Sequence, residues 1–243
     1  MLNAYGLPMQ SAQEPHSPDP ARFDRRESLV AAGGLALAAL GAGALPASAA
    51  STASGASAVS CVLAPEMTQG PFYIADEKVR RNIREGEAGV ALALRLGVVD
   101  AASCKPIKGA AVDIWHADAG GNYSGFGSNG TSSRTFLRGI QKTDANGIAR
   151  FDTVYPGWYQ GRTVHIHVLV HVGGNVLHTG QLFFADGLTD TVFARKPYSG
   201  RGQRDRRNSD DSIYANGGSR SLLRMKRQGT GFLGTITMGV HRT

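Results

Sequence analysis

Two histidines one residue apart, His165 and His167, stand in T-V-H-I-H-V-L-V-H, residues Thr163 to His171. The alternation from Val164 onward is that of a β-strand, whose successive side chains point to opposite faces. Ile166, Val168, Val170 and Val172 then share one face, expected to be the core face, and His165, His167, Leu169 and His171 share the other. Two strand rises separate the imidazoles by roughly 6.5 to 7 Å, within reach of a common metal ion, and neutral imidazole is the commonest protein metal ligand. H-x-H alone does not separate a metal site from a polar strand face. Further donors are at hand: Tyr159 and Arg162 just before His165, and Tyr123 upstream in W-H-A-D-A-G-G-N-Y. Phenolate is a hard anionic oxygen donor, so two phenols beside two imidazoles favour a ferric ion.

The runs D-I-W-H-A-D-A-G-G-N-Y (Asp113 to Tyr123), P-G-W-Y (Pro156 to Tyr159) and R-T-V-H-I-H (Arg162 to His167), followed by Gln181, resemble the signature of the intradiol ring-cleavage dioxygenases. That non-haem Fe(III) family includes protocatechuate 3,4-dioxygenase and catechol 1,2-dioxygenase. The resemblance extends from about Cys61 to Val240. It implies that Tyr123, Tyr159, His165 and His167 hold Fe(III), and that Tyr159 is the ligand displaced when a catechol binds through both oxygens. It further implies that Arg162 stabilises the activated ring and Gln181 orients hydroxide or substrate. The expected partners are a catechol-type small molecule and O2, and the product a cis,cis-muconate-type dicarboxylate. A Gly-Pro-Phe segment, here Gly70-Pro71-Phe72, lies near the active-site mouth in the family, so Pro71 and Tyr73 are either pocket residues or anchors of the N-terminal arm.

Two other classes were weighed. A cupin-like metal enzyme also carries H-x-H on a strand, but expects a glutamate a few residues after the second histidine, and Val168 to Asn175 contains no carboxylate. A non-catalytic sandwich module would have no reason to keep all four donors. His171 and His178 are decoys for the ligand role, and His116 and Trp115 suit core positions as well as functional ones.

The elements that must position these groups read as strands. Val90 to Val99 and Ala111 to Ala117 alternate. Phe136 to Thr143 and Ile148 to Asp152 flank Asp144-Ala-Asn-Gly147, an Asn-Gly hairpin signal. Val176 to Phe184 returns from Gly173-Gly174-Asn175, and Phe232 to Val240 closes the chain. Residues 186–211 turn polar and basic and read as loop or mobile segment. Many short strands, 32 glycines and few helix signals point to an all-β sandwich of mixed or antiparallel sheets with long loops. No counterpart of the helical dimerisation region of catechol 1,2-dioxygenases is expected, which leaves the oligomeric state open.

At 243 residues the chain has room for one sizeable domain plus a tail. Its expected organisation is an export signal over residues 1–49, a flexible linker over 50–60, an N-terminal arm over 61–85 and the catalytic sandwich over 86–243. The signal rests on Arg25-Arg26 before a short Ala, Gly and Leu run that ends in Ala47-Ser48-Ala49, the pattern of a cleavable twin-arginine leader. The destination is outside the cytoplasm: secreted, periplasmic or at the cell surface. No stable membrane association is expected after cleavage. In an exported chain, Cys61 and Cys104 are expected to pair. The formal net charge of +7 bears on attraction of anionic ligands. Nucleic acid is not the expected partner, because the densest basic run, Arg201 to Arg207, is interrupted by Asp205 and followed by Asp210 and Asp211.

Overall fold

Apolar side chains at alternate positions of the longer segments demand two sheets laid face to face, each covering the other's inner surface. The computed structural model, which describes residues 61–241 apart from positions 76, 128 and 129, has that architecture. The leader and linker expected over residues 1–60 lie outside the described residues. The strands are β1 (Ala91–Asp100), β2 (Ala111–Trp115), β3 (Arg138–Lys142), β4 (Ile148–Val154), β5 (His165–Val172), β6 (Asn175–Phe183), β7 (Arg224–Gln228) and β8 (Gly231–Val240). Two short helices, α1 (Asp186–Phe193) and α2 (Ser212–Ala215), follow β6. One sheet runs β4-β1-β8-β7 and the other β3-β2-β5-β6. All neighbours are antiparallel except β1 and β8, so the first sheet is mixed.

The core lies between the sheets. Leu92, Leu94, Leu96 and Val98 of β1 meet Ile166, Val168 and Val170 of β5, with Val112, Ile114, Phe151, Phe232 and Met238 filling the same layer. The apolar face of β5 therefore points inward, as its alternation requires. Its histidine face is buried as well, from His165 through Val170, because the arm and the segment after β6 cover it.

Residues 61–85 form that covering arm. Ala64 donates its backbone N–H to Gly239, Met67 to Thr179, Arg80 to Ile140 and Ile83 to Asp152, so the arm is stitched to both sheets. Cys61 and Cys104 are disulfide-bonded with a Cα–Cα distance of 5.5 Å, fastening the start of the arm to the turn after β1. Among the described residues no helix is long and apolar enough to cross a membrane.

Three expectations need correction. The turn at Asp144 to Gly147 is present, with Asp144 Oδ1 accepting from the N–H groups of Asn146 and Ile148, but it does not make a hairpin. β3 pairs with β2 and β4 pairs with β1, in opposite sheets. Turn chemistry is local and fixes only the reversal of the chain. Pairing is decided by the ladder each strand finds, and β4 finds seven paired positions along β1, from Ala91↔Val154 to Gly97↔Ile148. Second, β7 was not anticipated, because Arg224-Met-Lys-Arg-Gln228 has a single apolar residue and no alternation; it is held by its backbone ladder to β8, by Met225 packing on the core and by Arg227 over the Phe232 ring. Third, residues 186–211 are not a loose loop. Arg204 pairs with Asp186 and Asp190, Arg207 pairs with Asp190, and buried Tyr198 donates to the backbone oxygen of Tyr155 at 2.6 Å. A polar composition that reads as solvated is here charge-paired with itself.

Candidate metal centre

The donor groups expected from the sequence converge. His165 and His167 leave the same face of β5, and the following strand β6 sets Gln181 directly opposite His167. His165 Nε2 lies 3.1 Å from His167 Nε2 and 3.1 Å from the hydroxyl oxygen of Tyr159. Tyr123 enters from the loop after β2, its ring 5.6 Å from that of Tyr159 and 6.1 Å from that of His167. Its hydroxyl is buried and makes no hydrogen bond of normal geometry, although it is near enough to the Tyr159 hydroxyl to feel its charge.

Tautomer and charge follow from the surroundings. His165 Nδ1 is 2.7 Å from the carbonyl oxygen of Thr163. A carbonyl only accepts, so Nδ1 carries the proton and Nε2 presents a lone pair to Tyr159 and His167. Burial, helped by the Arg162 cation, lowers His165 to about 3. Burial and then the neighbouring His165 carry His167 well below the imidazole range. Both rings are therefore neutral at physiological pH. Burial raises Tyr123 far above the phenol range, with Tyr159 adding to the shift. Tyr159 is also raised by burial, against the pull of Arg162.

Two imidazoles whose basicity burial lowers and two phenols whose pKa burial raises fit a strongly charged cation. Its field is what turns such phenols into phenolates. Among the described residues no trio of His, Cys, Asp and Glu gathers around a common point; the oxygen donors beside the two histidines are the phenols of Tyr159 and Tyr123. That donor set suits a hard, highly charged ion such as Fe(III).

The surroundings hold the donors still. The His167 ring stacks on Trp115 with centroids 4.9 Å apart and planes nearly parallel. The Tyr123 ring stacks on Phe72 of the arm at 4.2 Å. Arg138, fully buried, lies 5.8 Å from the Tyr123 ring, donates to the backbone oxygens of Ser124 and Phe72, and so ties the tyrosine loop to the arm. Gly70 packs against His167, where a Cβ would come within 3.0 Å of the ring.

Arg162 reaches the same centre, its Nη1 3.5 Å from His165 Nε2. Its Nη2 donates to Gln181 Oε1 at 2.6 Å and its Nε to Asp211 Oδ2 at 2.8 Å. Gln181 also donates from Nε2 to the backbone oxygen of Thr68, so its amide bridges the arginine and the arm. Asp211 was not recognised from sequence. Its carboxylate is 1% exposed and accepts from the N–H groups of Thr163, Ile213 and Tyr214 besides Arg162. Burial alone would raise it, but these donors, Arg162 first, bring it below the usual range. The signal available in the sequence was only an Asp before Ser-Ile-Tyr, a helix-capping position at the start of α2.

The remaining residues fall outside the donor group. Tyr73 packs its ring on Trp115 at 5.0 Å, which matches the anchoring alternative. His116 is locked between the Ala117 carbonyl and the Thr153 hydroxyl, at 2.8 Å from each. His178 pairs with Glu66.

Comparison with known proteins agrees with this geometry. Residues 64–194 match the family model described as "Dioxygenase". The chain is 35% identical over 124 residues to catechol 1,2-dioxygenase 1 of Acinetobacter lwoffii, a match covering 47% of this chain and 40% of that protein. It spans less than half the length of the curated relatives it matches. Among solved structures it resembles an intradiol ring-cleavage dioxygenase from Tetranychus urticae, with 37% identity, a TM-score of 0.71 and coverage of 74% of this chain and 95% of that one. Catechol 1,2-dioxygenase from Pseudomonas arvilla C-1 is 26% identical, with a TM-score of 0.55 and coverage of 72% and 61%.

Proposed function

Because the chain belongs to the intradiol dioxygenase family, we propose that it cleaves a catechol-type ring between its two hydroxylated carbons. Both atoms of one O2 enter the product, a cis,cis-muconate-type dicarboxylate. The observation that carries this reading is the convergence of Tyr159 Oη, His165 Nε2 and His167 Nε2 within 3.1 Å contacts, beside the unpartnered hydroxyl of Tyr123. These four side chains are the proposed ligands of a ferric ion. When bound, that ion supplies a Lewis-acid centre that draws electron density from a coordinated catecholate and readies a ring carbon for O2.

The chain's own part is to orient and to manage protons. Thr163 fixes the His165 tautomer through its carbonyl. Tyr159, raised by burial, would be the ligand whose phenolate takes up a proton of the catechol. Arg162 supplies a guanidinium cation, and its pairing to Asp211 and Gln181 aims that charge at the ring site. Phe72 and Tyr123 present aromatic faces and exclude water.

We further propose export by the twin-arginine route. The Cys61–Cys104 bond supports an oxidising destination, and fractionation of cells producing the full chain tests it. The ring-cleavage reading is tested by iron analysis together with O2 uptake on catechol, protocatechuate and hydroxyquinol. An iron-loaded protein inert toward all three would overturn it.

A further inference from the structure

The outer face of the sheet β4-β1-β8-β7 carries a row of cations that the proposed chemistry does not use. Register places Arg150 opposite Arg95, Arg95 opposite Thr235, and Thr235 opposite Arg224. Directly opposed residues share a face, so the row crosses all four strands. Neighbouring strands are about 4.8 Å apart, which spaces Arg95 and Arg224 by roughly 10 Å and sets Arg95 directly beside Arg150. Like charges directly opposite one another destabilise a sheet. Arg150 is offset by Asp144. Arg95 and Arg224 have no ion pair among the described residues, and neither has Arg220, which lines the same groove. Outside the groove Arg81, Arg134 and Arg204 have carboxylate partners, whereas Arg195, Arg206 and Arg227 have none among the described residues.

The groove has a volume of about 780 Å³, and among the described residues no aromatic side chain lines it. Its remaining polar lining is hydroxyl: Ser219, Thr235 and Thr237. Arg95 and Arg224, two strands apart on an open trough that Arg220 also lines, suit an extended chain of anions better than one compact ion. Guanidinium forks match carboxylates in geometry as well as charge. The absence of aromatic faces removes the stacking on which single-stranded nucleic acid depends.

We infer that this groove is a second binding site, for a linear polymer bearing a carboxylate on each repeat, and that it holds the protein on such a polymer independently of the ring-cleavage site. The test uses the full-length protein on immobilised polygalacturonate, neutral dextran and single-stranded DNA, at about 20 mM and about 500 mM salt. The expected result is retention on polygalacturonate that fades at the higher salt, none on dextran, and a loss of roughly tenfold in affinity for the triple variant Arg95→Gln, Arg220→Gln, Arg224→Gln. Arg134→Gln, an exposed arginine outside the groove, should bind as the unmodified protein does. Absence of retention, equal retention on dextran, or a triple variant that binds undiminished would each overturn the inference. Tighter binding to DNA would replace carboxylate with phosphate as the ligand and overturn it too. No outcome depends on turnover, so failure here is distinct from failure of the ring-cleavage reading.

Discussion

Asp211 Oδ2 lies 2.8 Å from Nε of Arg162, forty-nine residues earlier in the chain. The contact joins the start of α2 to the strand-entry segment that carries the histidines, and the same carboxylate caps α2 through Ile213 and Tyr214. The direction in which Arg162 points is thus fixed by a residue outside every recognisable motif.

Replacing Asp211 by Ala leaves a partly buried guanidinium without its carboxylate, held by Gln181. The expected stability loss is about 2 to 4 kcal/mol, below the top of the range for buried pairs because Arg162 keeps 17% of its side chain in solvent. Iron should stay bound while kcat falls by roughly 10- to 100-fold. Urea unfolding, metal analysis and steady-state kinetics on one preparation check all three, and unchanged kcat would remove the orienting role.

His165→Ala removes one lone pair from the converging donors and should abolish stoichiometric iron. Tyr159→Phe removes only the donor proposed to leave during the reaction, so it should keep iron but change the visible absorption and slow turnover. Full activity in His165→Ala would refute the ligand assignment.

Gly70 has φ +71° and touches His167. Gly70→Ala should push the imidazole aside and lower iron occupancy, beyond a backbone strain of about 1 to 3 kcal/mol. Gly109→Ala is the control, with φ +78° and nothing within 4 Å of a new Cβ. If both variants lose iron equally, strain rather than contact is responsible.

Asp113 is buried with neither carboxylate oxygen hydrogen-bonded. Burial first, then Glu77, push it from 3.8 up to about 7, against the pull of Arg138. The unfolded chain thus releases this proton near pH 4 while the folded chain holds it to about 7, so rising pH across that window favours unfolding. The contribution is fully present below the lower value and has been lost above the higher one. Asp113→Asn should flatten that part of the stability profile, measured as urea midpoints between about pH 4 and pH 7. An unchanged slope would place the titration elsewhere.

The Cys61–Cys104 bond closes a loop with a sequence separation of 43, worth about 4 kcal/mol in the chain-entropy model. Cys61→Ser together with Cys104→Ser should lower thermal stability accordingly. It should also loosen the arm that carries Phe72 and Gly70, read as faster amide exchange around Met67.

The amino-acid order by itself determined the β-sandwich, the faces of β5 and the residue types of the centre. Period-two alternation dictates which side chains share a face, and H-x-H on one face holds whatever the strand pairs with. It did not determine the split of β3 and β4 between sheets, the strand β7, or the ordered segment at 186–211. Each of these depends on partners far along the chain: the β1 ladder for β4, the β8 backbone for Arg224–Gln228, and Tyr155 for Tyr198. Tertiary structure alone decided that Asp211 aims Arg162, that Arg138 binds the Tyr123 loop to Phe72, and that arginines of β1, of β7 and of the segment before β7 line one trough. The physical reason is that local chemistry sets turns and alternation, whereas the desolvation of charges and the convergence of donors are properties of surfaces brought together by the closed fold.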